Sequence, residues 1–363
     1  MANALDYIKW RGDLSFSASP LNEVDMFVFS QLAMPDYSGI VEAGNRVRIK
    51  DVSAGYFESH NEDFRNLGIL QSDSVLPMLK ALASVPRYKD LYISNYVSKI
   101  HAEKEEQFSA LSVENPGEFL CVIFRGTDDT IIGWKEDFNI AAKEYVPAQL
   151  DATRYLNDAV RNFEKGSVYV CGHSKGGNLA IYSTVAADEE VRKRITGTIS
   201  FDGPGFRDSF FEMEGYKSVK NRLATVYSEN AIIGLLMRTA GKTYIVKTKA
   251  FGIQAHDGFN WEIMGPRFVK CSRLSLASQK FNAVIDETME NMDEAARLAL
   301  IDELFDALFS TGAKTITELS RTSLKTKTDL ILKLTKEKNL TSFAKVILES
   351  FLNFQPQQKN ISE

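Results

Sequence analysis

Apolar and polar positions change period several times along this chain. Residues 91–97 and 119–124 are short runs rich in β-branched and aromatic side chains, which predicts strands. A charged patch at 101–107 and the turn signal Asn115-Pro116-Gly117 lie between them. Residues 152–163 repeat at helical spacing, 168–171 form another β-prone run, and 178–187 return to a helical pattern. Further strand-like runs follow at 195–201, 223–227 and 244–247. Strands alternating with helices predict an α/β fold, with a parallel or mixed sheet and helices on both faces. Upstream lie a helical stretch at 23–32 and then polar loops and short helices through about Tyr88. From about Leu274 onward Glu, Lys, Ala, Leu and Thr dominate, and apolar residues such as Ala299, Leu300, Leu304 and Leu308 recur at three- and four-residue spacing. The expected organisation is an α/β domain over 1–273 including an N-terminal extension, a helical region over 274–354, and a loose tail over 355–363. The helical region is expected either as a small bundle on the core or as a separate module.

Chemistry concentrates where the run Val168-Tyr169-Val170-Cys171 meets Gly172-His173-Ser174-Lys175-Gly176-Gly177. Strand, sharp turn and helix with a serine at the apex is the pattern of a nucleophile elbow. The turn brings neighbouring segments close, so small residues are needed beside the serine, and Gly172 and Gly176 supply them. A plain glycine-rich turn is the competing reading. The β-prone run before the motif and the Ala-containing apolar helix after it favour the elbow.

A serine hydroxyl needs a base to take its proton. The chain has four histidines. His60 and His101 precede the elbow, and His173 sits inside it with a different projection from its neighbour. His256 follows the last expected strand, in the chain order serine, acid, histidine used by elbow enzymes, and is the expected base. Two acids fit that order. Asp202 closes the strand after the elbow helix, ahead of Gly203-Pro204-Gly205, and Glu229 closes the next. Asp202 is preferred because it is short and its loop looks rigid; a turn-forming Asx role is its alternative. The oxyanion donors are expected from the backbone N–H of Lys175 and from Thr127, in the turn Phe124-Arg125-Gly126-Thr127.

Val122-Ile123-Phe124-Arg125-Gly126-Thr127-Asp128, with Trp134 and Asp137-Phe138 downstream, resembles the strand-and-oxyanion signature of class 3 (fungal-type) lipases. The segment Gly172 to Ala180 resembles their elbow. The opening residues 6–16 and His256-Asp257 are similar to a bacterial lipase-like branch of that superfamily. The resemblance implies an α/β-hydrolase fold, esterase chemistry on an acyl ester or lipid-like substrate, no cofactor and no metal. Two departures qualify it. Ala231 stands where such lipases place their acid, which is why Asp202 or Glu229 is invoked. Lys175 follows the serine where a smaller or uncharged residue is usual, and its charge is expected to favour anionic substrates.

Composition narrows the remaining classes. A net charge of −5 argues against nucleic acid as a partner. Three cysteines without C-x-x-C spacing read as reduced thiols of a cytoplasmic protein. No apolar stretch is long enough to span a bilayer, and the N-terminal residues lack the pattern of a signal peptide. The leading expectation is a serine ester hydrolase. A thioesterase or peptidase would use the same triad. The alternative of another class is a non-catalytic binding or scaffolding protein on a degenerate hydrolase fold.

Overall fold

In the computed structural model, which describes residues 2–60, 71–290 and 292–323, a nine-stranded sheet positions the elbow. Its strands lie almost entirely in chain order: β1 (Arg46–Arg48), β2 (Tyr92–His101), β3 (Glu106–Asn115), β4 (Phe119–Phe124), β5 (Ser167–His173), β6 (Ile195–Phe201), β7 (Leu223–Ser228) and β8 (Lys242–Val246). β1 to β4 pair antiparallel, and β4 to β8 pair parallel. A small hairpin of β9 (Ile263–Met264) and β10 (Arg267–Phe268) leads to β11 (Lys270–Cys271), the antiparallel edge strand beside β8.

Four helices open the chain: α1 (Ala4–Arg11), α2 (Glu23–Leu32), α3 (Ile49–Ser59) and α4 (Val75–Ser84). Between strands come α5 (Ile131–Ala142), α6 (Pro147–Arg161), α7 (Lys175–Ala186), α8 (Glu189–Arg194), α9 (Asp208–Glu212) and α10 (Glu214–Val219). α11 (Leu276–Glu290), α12 (Glu294–Phe309) and α13 (Ile316–Ser320) follow the sheet.

Parallel strands laid down in one direction, each joined by a right-handed crossover, place their connecting helices on one face. Accordingly Leu120, Val122 and Phe124 of β4 and Val168 and Val170 of β5 pack against α6 and α7. The alternate residues Cys121, Ile123 and Cys171 point to the opposite face, which the crossovers leave bare. The N-terminal helices cover it. α2 is buried from Val24 to Leu32 and lies beneath β4, β5 and β6, and its buried polar residues include Asp25, which is paired with Arg87. The expected helices on both faces are therefore present, and the N-terminal extension is one whole layer of the fold.

Sequence reading missed β3 and the short strands β1, β9, β10 and β11, and β3 is the longest of these. Its first eight residues are all buried, and its polar members Gln107, Ser109 and Ser112 break the apolar run that would have marked it. The charged patch at 101–107 spans the end of β2, the connection at 102–105 and the start of β3. In the C-terminal region, Leu304, Phe305 and Leu308 of α12 pack on Ile131 and Ala142 of α5. The expectations for 324–363 lie outside the described residues.

Candidate active site

The elbow forms where β5 runs into α7. Ser174 adopts φ 58°, ψ −133°, a conformation that L-residues rarely hold. Its N–H donates to the Phe201 carbonyl at 2.9 Å. Close approach explains the flanking glycines: a Cβ on Gly172 would lie 2.2 Å from the Gly176 carbonyl, and one on Gly176 would lie 2.1 Å from the Phe124 carbonyl oxygen. Ser174 is half-buried, whereas the residues around it from Cys171 to Ala180 are buried.

His256 ends a 3-10 turn, Gly252–His256, that follows β8. Its Nδ1 donates to Asp202 Oδ2 at 2.6 Å. Asp202 is fully buried just past the end of β6, with φ 49° and its N–H bonded to the Val226 carbonyl at 2.7 Å. Burial of one partner and a short bond fix the imidazole's tautomer and orientation. The loop is anchored further by Trp261 Nε1 on the Ala255 carbonyl (2.9 Å) and Asn260 Nδ2 on the Gln254 carbonyl (3.0 Å). Glu229, the other candidate acid, instead accepts from the Thr248 N–H at 3.2 Å. Among the described residues it makes no ion pair with His256.

His173 holds the two halves together, a role its sequence position did not reveal. Its Nε2 donates to the His256 carbonyl at 2.8 Å, and the two rings lie 4.5 Å apart. Burial, with help from the neighbouring His256, pushes the His173 pKa down from 6.5 to about 3. A depressed native pKa means the unfolded chain binds the extra proton first, so this neutral histidine costs nothing above pH 6.5 and destabilises progressively below it. From pH 6.5 to 5 the loss is about 2 kcal/mol. Urea midpoints at pH 7 and pH 5 should therefore fall less for His173→Gln, which keeps a donor but cannot titrate. Equal losses in both proteins would refute this role.

The turn expected to supply an oxyanion donor follows β4 and leads to α5. Gly126 rests against the elbow: a Cβ there would lie 2.8 Å from the His173 carbonyl oxygen and 3.3 Å from Ser174 Cβ. The next residue, Thr127, donates its hydroxyl to the Asp137 carboxylate and accepts from Gln71 Nε2 at 3.0 Å through its carbonyl. Burial pushes the Asp137 carboxyl up to about 7, against the opposing pull of Lys175 and the Thr127 hydroxyl. The Lys175 N–H opens α7, where the first N–H groups lack intrahelical acceptors.

The side chain of Lys175 overturns one expectation. It is fully buried, and Nζ donates to the Gln107 carbonyl (2.7 Å), Gln107 Oε1 (2.6 Å) and Glu136 Oε2 (3.0 Å). Its charge is matched inside the protein by a buried carboxylate and gives no reason to expect anionic substrates. Glu136 also accepts the N–H groups of Gln107 (2.9 Å) and Ala148 (3.0 Å), tying β3, α5, α6 and the elbow helix together. No pairwise spacing in the sequence marks this cluster, since it depends on α5 crossing β3.

Gly234 is a second residue that only packing reveals. A Cβ there would lie 2.3 Å from Asp202 Oδ1. Gly234→Ala must therefore displace the carboxylate that orients His256. Misplacement on the scale of 1 Å costs on the order of 100-fold in rate. We expect kcat/KM for an activated ester to fall by roughly that factor while the circular-dichroism spectrum stays native. A rate within twofold of wild type would remove Gly234 from the site.

Among the described residues, no cluster of three or more His, Cys, Asp or Glu side chains could hold a metal ion. No described helix is long and apolar enough to cross a membrane. No curated protein matches the chain. Among solved structures, a fungal lipase–inhibitor complex, described as a model for interfacial activation in lipases, is 14% identical, with 61% of this chain and 79% of that one covered at a TM-score of 0.38. The native Rhizomucor miehei lipase propeptide complex is 17% identical, covering 73% and 83% at a TM-score of 0.38. M37 lipase is 16% identical, covering 58% and 69% at a TM-score of 0.37. The profile of the Mbeg1-like family matches residues 82–306, more than half of the chain and a span that holds Thr127, Ser174, Asp202 and His256. On that match this chain belongs to the Mbeg1-like family.

Proposed function

We propose that this protein is a serine ester hydrolase working through an acyl-enzyme. The observation that carries the reading is the 2.6 Å bond from His256 Nδ1 to the buried Asp202, on loops that meet at the strained Ser174. In the proposed reaction Ser174 Oγ attacks the acyl carbon and gives its proton to His256 Nε2. The oxyanion is held by the Lys175 N–H and by Thr127, which Asp137 keeps in place. His256 then protonates the departing alcohol as the carbon–oxygen bond breaks, and water attacks the acyl-enzyme by the reverse sequence. Asp202 keeps the imidazole in the tautomer that leaves Nε2 free to accept.

The scaffolding alternative draws on the C-terminal helical region as a partner-docking surface and on Ala231 standing where such lipases carry their acid. A carboxylate supplied one strand earlier removes the second motive and favours the enzyme. A lipid-like acyl ester is the substrate class we infer, and cysteine usage supports a cytoplasmic location. Membership of a bacterial lipase-like branch belongs to the same inference. A fluorophosphonate probe tests the central claim: we expect it to label the intact protein and to spare Ser174→Ala. Absence of labelling, or equal labelling of both proteins, would overturn the proposal.

A further inference from the structure

The charge of this chain is unevenly distributed. Residues 238–280 carry eight lysines and arginines against two acids, within a chain of net charge −5. This basic segment runs from the end of β7–β8 through the His256 loop to the start of α11. Its two acids, Asp257 and Glu262, are half-buried, whereas its lysines at 247, 249 and 280 and Arg273 are exposed.

Apolar side chains stand among those cations. Past β8 the chain alternates: Lys247 exposed, Thr248 buried, Lys249 exposed, Ala250 half-buried, Phe251 exposed. That alternation leaves Lys247, Lys249 and Phe251 exposed within five consecutive residues. Phe251 is 73% exposed, five residues before His256. Leu276, at the start of α11, is 76% exposed, and Lys280 stands one helical turn beyond it on the same side. The two stretches form one ridge, because they are tied to consecutive residues. Asn230 Nδ2 donates to the Ala250 carbonyl at 2.8 Å, and the Ser275 N–H donates to the Glu229 carbonyl at 2.8 Å. Two half-buried acids border the ridge: Glu229 accepts from the Thr248 N–H, and the Glu262 N–H donates to the Lys247 carbonyl at 2.9 Å. Among the described residues, Lys247, Lys249, Arg273 and Lys280 make no ion pairs.

We propose that this ridge docks the protein on an anionic lipid surface, with Phe251 and Leu276 entering the interface and the four cations facing lipid phosphates. The consequence for substrate rests on the esterase reading: docking would present the His256 edge of the sheet to esters held in that surface. Two solvent-exposed apolar side chains inside a cationic patch match the two parts of a lipid interface, its acyl region and its anionic headgroups. A nucleic-acid polyanion would leave Leu276 unused, and the acidic remainder of the chain would repel anything that wraps beyond the ridge.

Sedimentation with vesicles tests this without any turnover. Wild type and Ser174→Ala are mixed with vesicles of pure phosphatidylcholine, or of phosphatidylcholine and phosphatidylglycerol in equal parts, at 0.1 M salt. A basic residue close to an anionic surface is worth about 1 kcal/mol, or roughly fivefold in binding. We expect both proteins to bind the anionic vesicles at least about tenfold more tightly than the neutral ones, and salt to weaken that binding. Lys249→Glu/Arg273→Glu should bind at least about 25-fold more weakly, yet hydrolyse a soluble short-chain ester at the wild-type rate. Phe251→Ser/Leu276→Ser should also weaken vesicle binding. Equal binding to both vesicle types, no binding to either, or unchanged binding by the charge variant would overturn the proposal. So would tighter binding to a single-stranded oligonucleotide than to the anionic vesicles. If Ser174→Ala binds vesicles normally while the fluorophosphonate test fails, docking survives and the esterase reading does not.

Discussion

Ser174→Ala should lower turnover of an activated p-nitrophenyl ester by about 10⁴- to 10⁶-fold while leaving the thermal midpoint nearly unchanged. The range follows from what elbow and triad enzymes lose when the nucleophile alone is removed. The reason is chemical: alanine leaves the oxyanion donors and binding contacts in place but supplies no atom to form the acyl-enzyme. His256→Ala should cost a similar factor, and the double variant should be no worse, because the two residues act as one unit. Asp202→Asn separates the two candidate acids. It replaces a carboxylate that accepts from Nδ1 by an amide able to donate to it, which favours the wrong tautomer and costs about 10⁴-fold. Glu229→Gln, whose partner is the Thr248 N–H, should stay within about threefold. Initial rates for the five variants decide the matter, and a Ser174→Ala protein retaining more than a tenth of the activity would dismiss the triad.

Arg87→Met should destabilise the native state by about 3–5 kcal/mol, the usual result of leaving one member of a buried ion pair without its partner. Arg87 and Asp25 have fully buried side chains. The guanidinium meets the carboxylate through two bonds, Nε to Oδ1 at 2.9 Å and Nη2 to Oδ2 at 2.6 Å. Its remaining donors reach the carbonyls of Leu14 (3.0 Å), Ser15 (3.3 Å) and Ser19 (2.9 Å), so one side chain pins the loop between α1 and α2. Asp25 also accepts from Tyr7 (3.0 Å), Tyr88 (2.6 Å) and the Asn22 N–H (3.1 Å). This knot anchors α2 under the elbow strand. Arg87→Met strands a buried carboxylate with only neutral donors. Asp25→Asn in the same chain removes that charge and should recover part of the loss. Urea unfolding of wild type, the single and the double variants tests it. A loss below about 1 kcal/mol for Arg87→Met, or no recovery in the double variant, would show that the pair is not what holds α2.

The sheet was legible where strands announce themselves. β4 to β8 are marked by runs ended by turns, and the elbow motif placed the turn at Ser174, although β5 runs on to His173 and α7 begins at Lys175, three residues before the helical pattern expected from 178. β3 was hidden because polar residues interrupt its apolar run, two of them facing partners inside the protein: Gln107 Oε1 accepts from Lys175, and Ser112 Oγ lies 3.1 Å from the Tyr155 hydroxyl. The second helical layer was hidden for a different reason. An apolar helix such as α2 reveals that it is buried, but not which surface buries it.

Chain order and residue chemistry alone were enough to single out Ser174 and His256, to narrow the acid to two positions, and to place Thr127 in the loop after β4. Those inferences depend on local motifs and on sequence order, and both survive without coordinates. Tertiary structure decided the rest, because each remaining fact is a contact between segments far apart in the chain. Asp202 and not Glu229 meets His256. Lys175 turns inward to Glu136. His173 locks the base loop through a carbonyl, and Gly234 makes room for the acid. A side chain's neighbour across 40 or 80 residues depends on how whole strands and helices pack, and that information is spread over the entire core.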